Sequence, residues 1–451
     1  MKAVLALASR LRAAGGSDTR TTTALAVLAF AVSTALTLSV VGGLLGFVGR
    51  AAAPRTEFER MNAETYVILA WVALVLLVVP IVTLGAAAAR LGVARRDARL
   101  ATLRLLGVTP GEVVGLTVVE TAAQGLAGAL AGVVLYGVLL PVWTLVPFMG
   151  SHFSVGELWV GVPALLVAVL AVPLLAAVSG AISLRRVVVS PLGVARRQTP
   201  RRLAFVRLLV ALAGLGLFMV MSMVAGQFGP AAIAFLVGSL AVAFATLNVV
   251  GPWVLGLFAR VQLWRARTPA RLLAARRLLD DPKAAWRVVG GLGLAGFVAG
   301  CLALLPLFTS GAEASPDERI LFDDLATGGM LTLAIAFVLA AVSAGIAQAS
   351  AVLDRRRELA LQHLAGVPVE LQHEVRRREV LGPLLFVGVG SAAAALVMLS
   401  PLFGFIAVQD PRSLGLLLGC LAGGVLLVLG ATEATRPLLR QVLAEPVVRP
   451  D

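Results

Sequence analysis

Long apolar segments constrain the fold of this chain more than any other feature of its sequence. A helix needs roughly 20 apolar residues to cross about 30 Å of hydrocarbon. The segments that meet this length lie at about 24–48, 65–89, 113–140, 158–182, 205–226, 230–259, 288–309, 326–350, 380–400 and 413–435. The sequence therefore predicts an all-α, polytopic integral membrane protein with about ten transmembrane helices.

The composition supports a lipid environment for most of the chain. Of its 451 residues, 59% are hydrophobic and 14% are charged, and the mean hydropathy is +0.96. Soluble globular proteins contain about a quarter charged residues, so water is excluded as the main solvent. Cys301 and Cys420 each lie in an apolar run and the three histidines are scattered, so neither a disulfide framework nor a metal site is predicted.

Charged residues are distributed unevenly between alternate loops. Residues 183–207 carry seven arginines and no acidic residue, and residues 260–287 carry seven arginines and Lys283 against two aspartates. Residues 310–325 instead carry five acidic residues and one arginine. Because positively charged loops stay in the cytoplasm, we expect both termini to be cytoplasmic. The net charge of +14 then lies mainly on one membrane face and does not require a nucleic acid partner.

Two segments of the chain resemble each other and indicate an internal repeat. A shift of 259 positions aligns Arg96 with Arg355, Leu100 with Leu359, Leu105 with Leu364, Gly107 with Gly366 and Glu120 with Glu379. Internal repeats are common in transporters, and the substrate path lies at the repeat interface. We therefore divide the chain into a first half at 1–204, a linking helix pair at 205–259 and a second half at 260–451.

Each copy of the repeat predicts a short amphipathic helix on the cytoplasmic face. The apolar ridge consists of Leu100, Leu103 and Leu106 in the first copy and of Leu361 and Leu364 in the second. Gly107 and Gly366 stand where the helices should end, because glycine tolerates the left-handed backbone of a helix C-terminus. Such a helix either lies on lipid or presses into a protein cleft, and its occurrence at two matched positions favours the cleft.

Glycines four residues apart predict close contacts between spans, because small residues let helix backbones approach each other. The pairs are Gly42/Gly46, Gly128/Gly132, Gly296/Gly300 and Gly419/Gly423.

The repeated segment resembles the cassette of the FtsX-like permease family, which includes the MacB-type and lipoprotein-releasing permeases. That cassette has a span, a cytoplasmic stretch of the form Arg…Glu…Leu…Leu-Gly, and two further spans with an early Glu. The matching residues are Arg96, Leu103, Leu106, Gly107 and Glu120 in the first copy and Arg355, Glu358, Leu364, Gly366 and Glu379 in the second. Arg99 stands where the family usually has Glu.

The resemblance covers two cassettes, at about 65–182 and 326–436, and the layout is similar to that of bacitracin-export permeases. Those permeases carry a large extracellular domain between the seventh and eighth spans, whereas only about residues 310–325 are expected there in this chain. We therefore expect no folded extracellular domain.

The resemblance implies a multi-pass permease subunit of an ABC transporter in a bacterial plasma membrane. The chain has no G-x-x-x-x-G-K-[ST] motif, so it is not expected to be an enzyme or to hold a cofactor. A cytoplasmic ABC ATPase, expected in two copies per chain, would bind the ATP and Mg²⁺, and lipid is the other expected partner. The residues predicted to couple to the ATPase are Arg96, Arg99, Leu103, Leu106, Gly107, Arg355, Glu358, Leu361, Leu364 and Gly366.

Glu120 and Glu379 are predicted early in their spans, where ionisable groups are expensive. Either they have a function in the membrane, or they pair at headgroup depth with arginines such as Arg104 or Arg376. The short outer loops favour export or extraction of an amphipathic substrate, such as a peptide antibiotic or a lipid. The alternatives are an ion-gradient transporter, which would need ionisable groups deep in the spans, and a signaller to cell-wall enzymes, which would need an extracellular arm.

The charge pattern makes a testable prediction about topology. Single-cysteine variants in 183–204 should be labelled by an impermeant maleimide only after the cells are opened, because the six arginines of that segment hold it inside. Single cysteines in 310–325 serve as the control and should be labelled on intact cells. Labelling of 183–204 from outside would contradict the predicted orientation.

Overall fold

The computed structural model describes residues 17–90, 110–188, isolated positions between 209 and 224, and residues 232–304, 315–403 and 410–437. In the first part of the chain the elements are α1 (Ser17–Ala52), α2 (Glu57–Arg90), α3 (Pro110–Trp143), β1 (Pro147–Phe148), β2 (Ser151–His152), α4 (Val155–Leu158) and α5 (Gly161–Val188). The remaining elements are α6 (Ala232–Trp264), α7 (Pro269–Asp280), α8 (Pro282–Leu302), α9 (Pro316–Asp354), α10 (Arg356–Leu364), α11 (Val369–Phe403) and α12 (Pro411–Glu433).

The prediction of an all-α polytopic membrane protein is confirmed. Within the described residues, seven helices are long and apolar enough to cross a membrane. They coincide to within a few residues with most of the length of the predicted spans at 24–48, 65–89, 113–140, 158–182, 326–350, 380–400 and 413–435. The predicted spans at 230–259 and 288–309 fall mainly in α6 and α8, and the span at 205–226 falls mostly outside the described residues.

The predicted outer loop at 310–325 is largely helical. Residues 310–325 were expected outside the membrane as a loop, but α9 already begins at Pro316. The Ser315 side chain accepts from the backbone N–H of Glu318, and the Glu318 side chain accepts from that of Ser315, which forms a capping box. Pro316 occupies the first helical position, where its missing N–H is harmless. Asp317, Glu318, Asp323 and Asp324 therefore belong to the first turns of a long helix.

The helices of the two halves make equivalent sets of contacts. In the first half, α1 contacts α2 and α3, and α5 contacts α2 and α3. In the second half, α8 contacts α9 and α11, and α12 contacts α9 and α11. The halves meet mainly where α2 and α1 pack against α9. This arrangement extends the sequence repeat to the packing, although α6 continues through the predicted boundary at 259.

The interior is apolar and the surface carries many large apolar side chains. One buried cluster joins both halves and includes Leu77, Leu84, Leu292 and Leu384, and a second one lies around the β-hairpin. On the outside, α5 exposes Leu170 at 72% of its surface. Contiguous exposed apolar surface marks a membrane contact rather than a water-facing side.

Glycine contacts confirm two of the four predicted pairs, whereas Gly42 and Gly46 lie closest to Leu158 and Phe153 beside α4 rather than to another span. A Cβ at Gly132 would lie 2.6 Å from Thr34 Cβ, and one at Gly300 would lie 2.8 Å from Ala392 O. Gly128 is similarly close to α1, and Gly296 is similarly close to α11. These contacts press α1 against α3 and α8 against α11, which are equivalent helix pairs in the two halves.

The predicted pair Gly419/Gly423 is wrong, because a Cβ at either position would meet nothing within 4 Å. The buried side of α12 runs through Ser413, Leu417, Gly424 and Val428, and Gly424 is the glycine that contacts Phe337. The spacing of the pair was right, but a single sequence does not show which side of an all-apolar helix faces its neighbours.

The glycine contacts predict a difference between two positions on α3. We expect Gly132→Leu to lower the free energy of unfolding by about 1–3 kcal/mol, because overpacking forces helices apart. Gly137 lies on the same helix with nothing within 4 Å of its added Cβ, so Gly137→Leu should unfold like the wild type. Thermal unfolding in detergent, followed by size-exclusion chromatography, measures both. Equal midpoints would contradict the close α1–α3 contact.

Candidate functional site

Both ends of the helix bundle hold polar clusters. The basic end carries α7 and α10, and the hairpin end carries β1 and β2. Of the predicted coupling residues, Arg96, Arg99, Leu103, Leu106 and Gly107 lie outside the described residues. Arg355, Glu358, Leu361, Leu364 and Gly366 lie together on or beside α10, at the basic end.

The chain forms α10 as a separate short helix after a single-residue break. Arg355 is the residue that follows α9 and caps it, and its backbone N–H donates to Ala351 O at 3.1 Å. At the other end, Gly366 has a φ of +84°, which confirms the predicted glycine stop. The backbone N–H of Val367 donates to Gln362 O at 3.0 Å and closes the last turn. The helix therefore has fixed ends and a defined orientation.

The two faces of α10 differ in burial. Leu359 and Ala360 are 5% and 2% exposed, and Leu359 packs with Val352 and Leu353. Leu361 and Leu364 are 47% and 62% exposed. The predicted apolar ridge thus faces away from the bundle, while a second apolar face, which the sequence analysis did not identify, anchors the helix.

Charged side chains tie α10 to two neighbouring helices. On one side, Arg355 Nη1 lies 3.7 Å from Glu379 Oε1 on α11. On the other side, Arg277 Nη2 of α7 lies 3.6 Å from Glu358 Oε1. Both Arg355 and Glu358 therefore pair within the chain.

The structure describes both glutamates that were predicted early in their spans, Glu120 and Glu379. The ion pair of Glu379 is with Arg355 and not with the expected Arg376, while Arg104 lies outside the described residues. The Arg376 side chain donates to Gln348 Oε1 at 3.1 Å and to Thr432 O at 2.8 Å. Glu120 is half-buried on α3, close to the start of its apolar span.

The ion pair of Arg277 with Glu358 was not predicted, although the spacing of Arg277 along α7 indicated that its side chain faces the protein interior. The buried side of α7 includes Ala270, Ala274 and Leu278, and Arg277 follows Ala270 by seven residues and Ala274 by three. An arginine at the spacing of a buried helical face requires a partner inside the protein. It was grouped with the other arginines of 260–287, which were attributed to the orientation of the chain.

At the hairpin end, an apolar cavity of about 420 Å³ lies between the halves. Its walls come from α1, α2, α8 and α9 and from the loop around the β-hairpin. Tyr66 and Asp324 bring polar groups to this otherwise apolar lining. Cavities of this size, with few polar groups, are typical of small-molecule sites.

A buried arginine holds the β-hairpin over the cavity. Arg50 is 5% exposed and donates to Phe148 O at 2.8 Å and to His152 O at 3.0 Å. Its guanidinium carbon lies 3.8 Å from the centre of the Phe153 ring, and its Nε lies 3.4 Å from Glu157 Oε1. Because both strand ends hydrogen-bond one guanidinium, the hairpin is fixed to the end of α1.

Asp324 joins the hairpin to the second half. Its carboxylate is 8% exposed and accepts from the Tyr66 hydroxyl at 2.7 Å and from the backbone N–H of Met149 at 2.6 Å. Met149 has a φ of +56°, in the left-handed region that a side chain makes unfavourable. One carboxylate on α9 therefore holds both α2 and a strained turn of the hairpin. The sequence analysis had placed Asp324 only among the acidic residues of an outer loop.

Comparison with known families gives one match. Residues 86–189 match a family model described as FtsX-like permease C-terminal. The matched region contains the end of α2, the segment 91–109, α3, the β-hairpin and α5, and it overlaps the predicted first cassette from residue 86 onward. No curated protein and no solved structure matches the chain.

The contacts of Asp324 predict a difference between two adjacent aspartates. We expect Asp324→Ala to lower the free energy of unfolding by about 1–3 kcal/mol, because it leaves the buried Tyr66 hydroxyl and Met149 N–H unpaired. Asp323 is exposed, so Asp323→Ala should have little effect. Hydrogen exchange in 144–154 should increase only in the first variant. Unchanged exchange in both variants would show that Asp324 does not hold the hairpin.

Proposed function

We propose, from the premise that the chain belongs to the FtsX/MacB-type family of ABC permeases, that it couples ATP hydrolysis by a separate cytoplasmic ATPase to export or extraction of an amphipathic substrate. The chain itself is the membrane permease. The ATPase would hold the ATP and Mg²⁺, and α10 would be one of its two docking helices.

One observation carries this proposal. On α10, the side chains of Leu361 and Leu364 point away from the helix bundle and are 47% and 62% exposed. Leu359 and Ala360, on the opposite face, are buried against the bundle. A short helix with an exposed apolar ridge fits a groove on a partner, as in other helix-in-groove contacts. The buried rear face and the two ion pairs would let the docked helix transmit force rather than turn in place.

The cavity at the hairpin end supports an amphipathic substrate. Its lining is mostly apolar, so it fits an acyl chain or an apolar peptide segment, and the Tyr66–Asp324 pair offers a polar contact at the wall. The cavity lies between the two halves, where transporters built from repeats place their substrate path. The charge pattern assigns this end to the outside of the cell, which supports removal of a substrate from the outer part of the membrane.

Two observations weigh against the alternatives. In the described spans, Asp324 lies near the hairpin end and Glu379 near the basic end, and both are paired, which argues against an ion pathway built on carboxylates. The signalling alternative requires an arm that reaches a partner beyond the membrane. The β-hairpin has strands of only two residues and is fixed to the bundle by Arg50.

The equivalent helix contacts in the two halves support a complex of one permease chain with two ATPase copies. Each half would supply one docking helix, and the first would lie in the segment 99–107. The measured mass of the purified complex tests this stoichiometry, and two permease chains per ATPase pair would contradict it.

The docking proposal predicts the effect of one charge on the exposed ridge. We expect Leu364→Asp to weaken association with the ATPase about tenfold or more, because docking would bury an unpaired carboxylate at a central contact. Leu364→Met is the matched control and should keep association and ATP turnover, since it preserves the apolar volume. Leu103→Asp should act in the same direction but less strongly, because the first copy lacks the family Glu.

The measurement is co-purification of the ATPase encoded with the permease, together with ATP turnover of the complex. The Leu364→Asp permease should still insert and remain monodisperse, because the substituted side chain is exposed. Wild-type association and turnover in both aspartate variants would move the proposed contact to the basic segments 183–204 or 260–287.

A further inference from the structure

Arg277 lies between the proposed docking helix and a helix that carries part of the cavity wall. Its side chain is only 13% exposed. Its Nη2 lies 3.6 Å from Glu358 Oε1 and donates to Gln362 Oε1 at 3.5 Å. Gln362 Nε2 in turn donates to Glu358 Oε1 at 3.0 Å. Two side chains one turn apart on α10 thus face a single guanidinium of α7.

The helix that carries Arg277 is joined to α8 by a single residue. α7 ends at Asp280 and α8 begins at Pro282, so only Asp281 separates them. The Asp281 carboxylate accepts from the backbone N–H of Ala284 at 3.0 Å and fixes the first turn of α8. Because so short a connection leaves little freedom, a displacement of α7 also displaces the start of α8.

The far part of α8 reaches the hairpin-end cavity. Phe297, Val298, Cys301 and Leu302 all line that cavity. Along its length α8 packs against α11, where Gly300 allows a close approach to Ala392. A rigid helix with one end at α7 and the other end in the cavity wall connects the two sites mechanically.

We propose that Arg277 is a positioning residue that transmits movement of α10 to α7 and α8, and through α8 to the wall of the cavity. This inference rests on the proposed function, since it takes α10 as the helix that the ATPase moves. The second ion pair, between Arg355 and Glu379, connects α10 to α11, so the two pairs would move α8 and α11 together.

An ion pair suits this role because the attraction between opposite charges falls off slowly with distance and therefore persists when the helices shift. The rest of α7 meets α11 through small or apolar side chains, among them Ala270, Ala274 and Val375. Such contacts hold α7 against α11 but do not join α7 to α10. A half-buried ion pair with a shared amide has a defined geometry, and breaking one partner leaves the other charge poorly solvated.

Arg276 and Arg277 provide a matched pair of variants. Both are arginines of α7, but Arg276 is exposed and Arg277 faces α10. Arg276→Met and Arg277→Met remove the same charge and leave Leu361 and Leu364 unchanged. The complex with the co-encoded ATPase is purified for each variant, in a background in which Cys420 is replaced by Ser.

The reporter of cavity movement is the native Cys301 on α8. Its labelling rate with N-ethylmaleimide is measured without nucleotide and with a non-hydrolysable ATP analogue. We expect the analogue to change the labelling rate in the wild type and in Arg276→Met. In Arg277→Met the response to the analogue should be reduced about fivefold or more, a typical size for coupling between sites. Association with the ATPase should stay the same, which a general loss of structure would not allow.

Exchanging the charges of Arg277 and Glu358 distinguishes a loss of transmitted movement from a loss of folding. The double variant Arg277→Glu with Glu358→Arg should recover the nucleotide response, and Arg277→Lys should keep part of it. These variants also serve if Arg277→Met is not recovered in a folded state. Rescue would support a specific pair, and failure of both variants to respond would overturn the proposal.

Other outcomes identify which proposal fails. If the analogue changes Cys301 labelling equally in Arg276→Met and Arg277→Met, Arg277 transmits nothing and the inference is overturned. If Arg277→Met alone loses the ATPase, Arg277 belongs to the docking surface, which also overturns it. If the wild type binds no ATPase, the proposed function fails first and the inference fails with it.

Discussion

Close helix packing in lipid is the constraint on which the rest of this structure depends. Between spans surrounded by lipid there is little hydrophobic drive, so association relies on van der Waals contact and interhelical hydrogen bonds. Gly132 on α3 and Gly300 on α8 allow these contacts at equivalent places in the two halves. The same packing that holds each half together therefore also gives the molecule its repeat, and it leaves the cavity where the halves meet.

Charge is concentrated at the two ends of the bundle and is used there to fix position. At the hairpin end, Arg50 and Asp324 hold a turn of the chain over the cavity. At the basic end, Arg277, Arg355 and their carboxylate partners hold α10. Partly buried ion pairs contribute little net stability, but they specify one arrangement over others. These groups therefore fix the position of the hairpin at one end of the bundle and of α10 at the other.

The sequence predicts helices well and contacts between distant helices poorly. Length and hydropathy locate the spans because a lipid environment imposes both. The repeat and the glycine at 366 likewise locate α10 and its end, since a left-handed turn favours one residue type. In contrast, Tyr66 and Asp324 lie 258 positions apart, and nothing in one sequence shows that α2 and α9 are neighbours. The direction in which Arg277 faces depends on the same missing information, as does the choice of Gly424 over Gly419. The hairpin was missed because strands of two residues carry no alternating pattern.

The length of α9 has a consequence for the surroundings of α10. From Asp324 to Asp354 the helix rises about 45 Å at 1.5 Å per residue. The hydrocarbon layer is about 30 Å thick, and spans tilt by about 20° on average. If the buried carboxylate of Asp324 marks one edge of the hydrocarbon, the last turns of α9 extend beyond the other edge by about 10–15 Å, past the depth of the headgroups. α9 then both crosses the membrane and projects from its surface. It would hold the exposed leucines of α10 above the lipid surface, where a protein is the only apolar surface that they can reach.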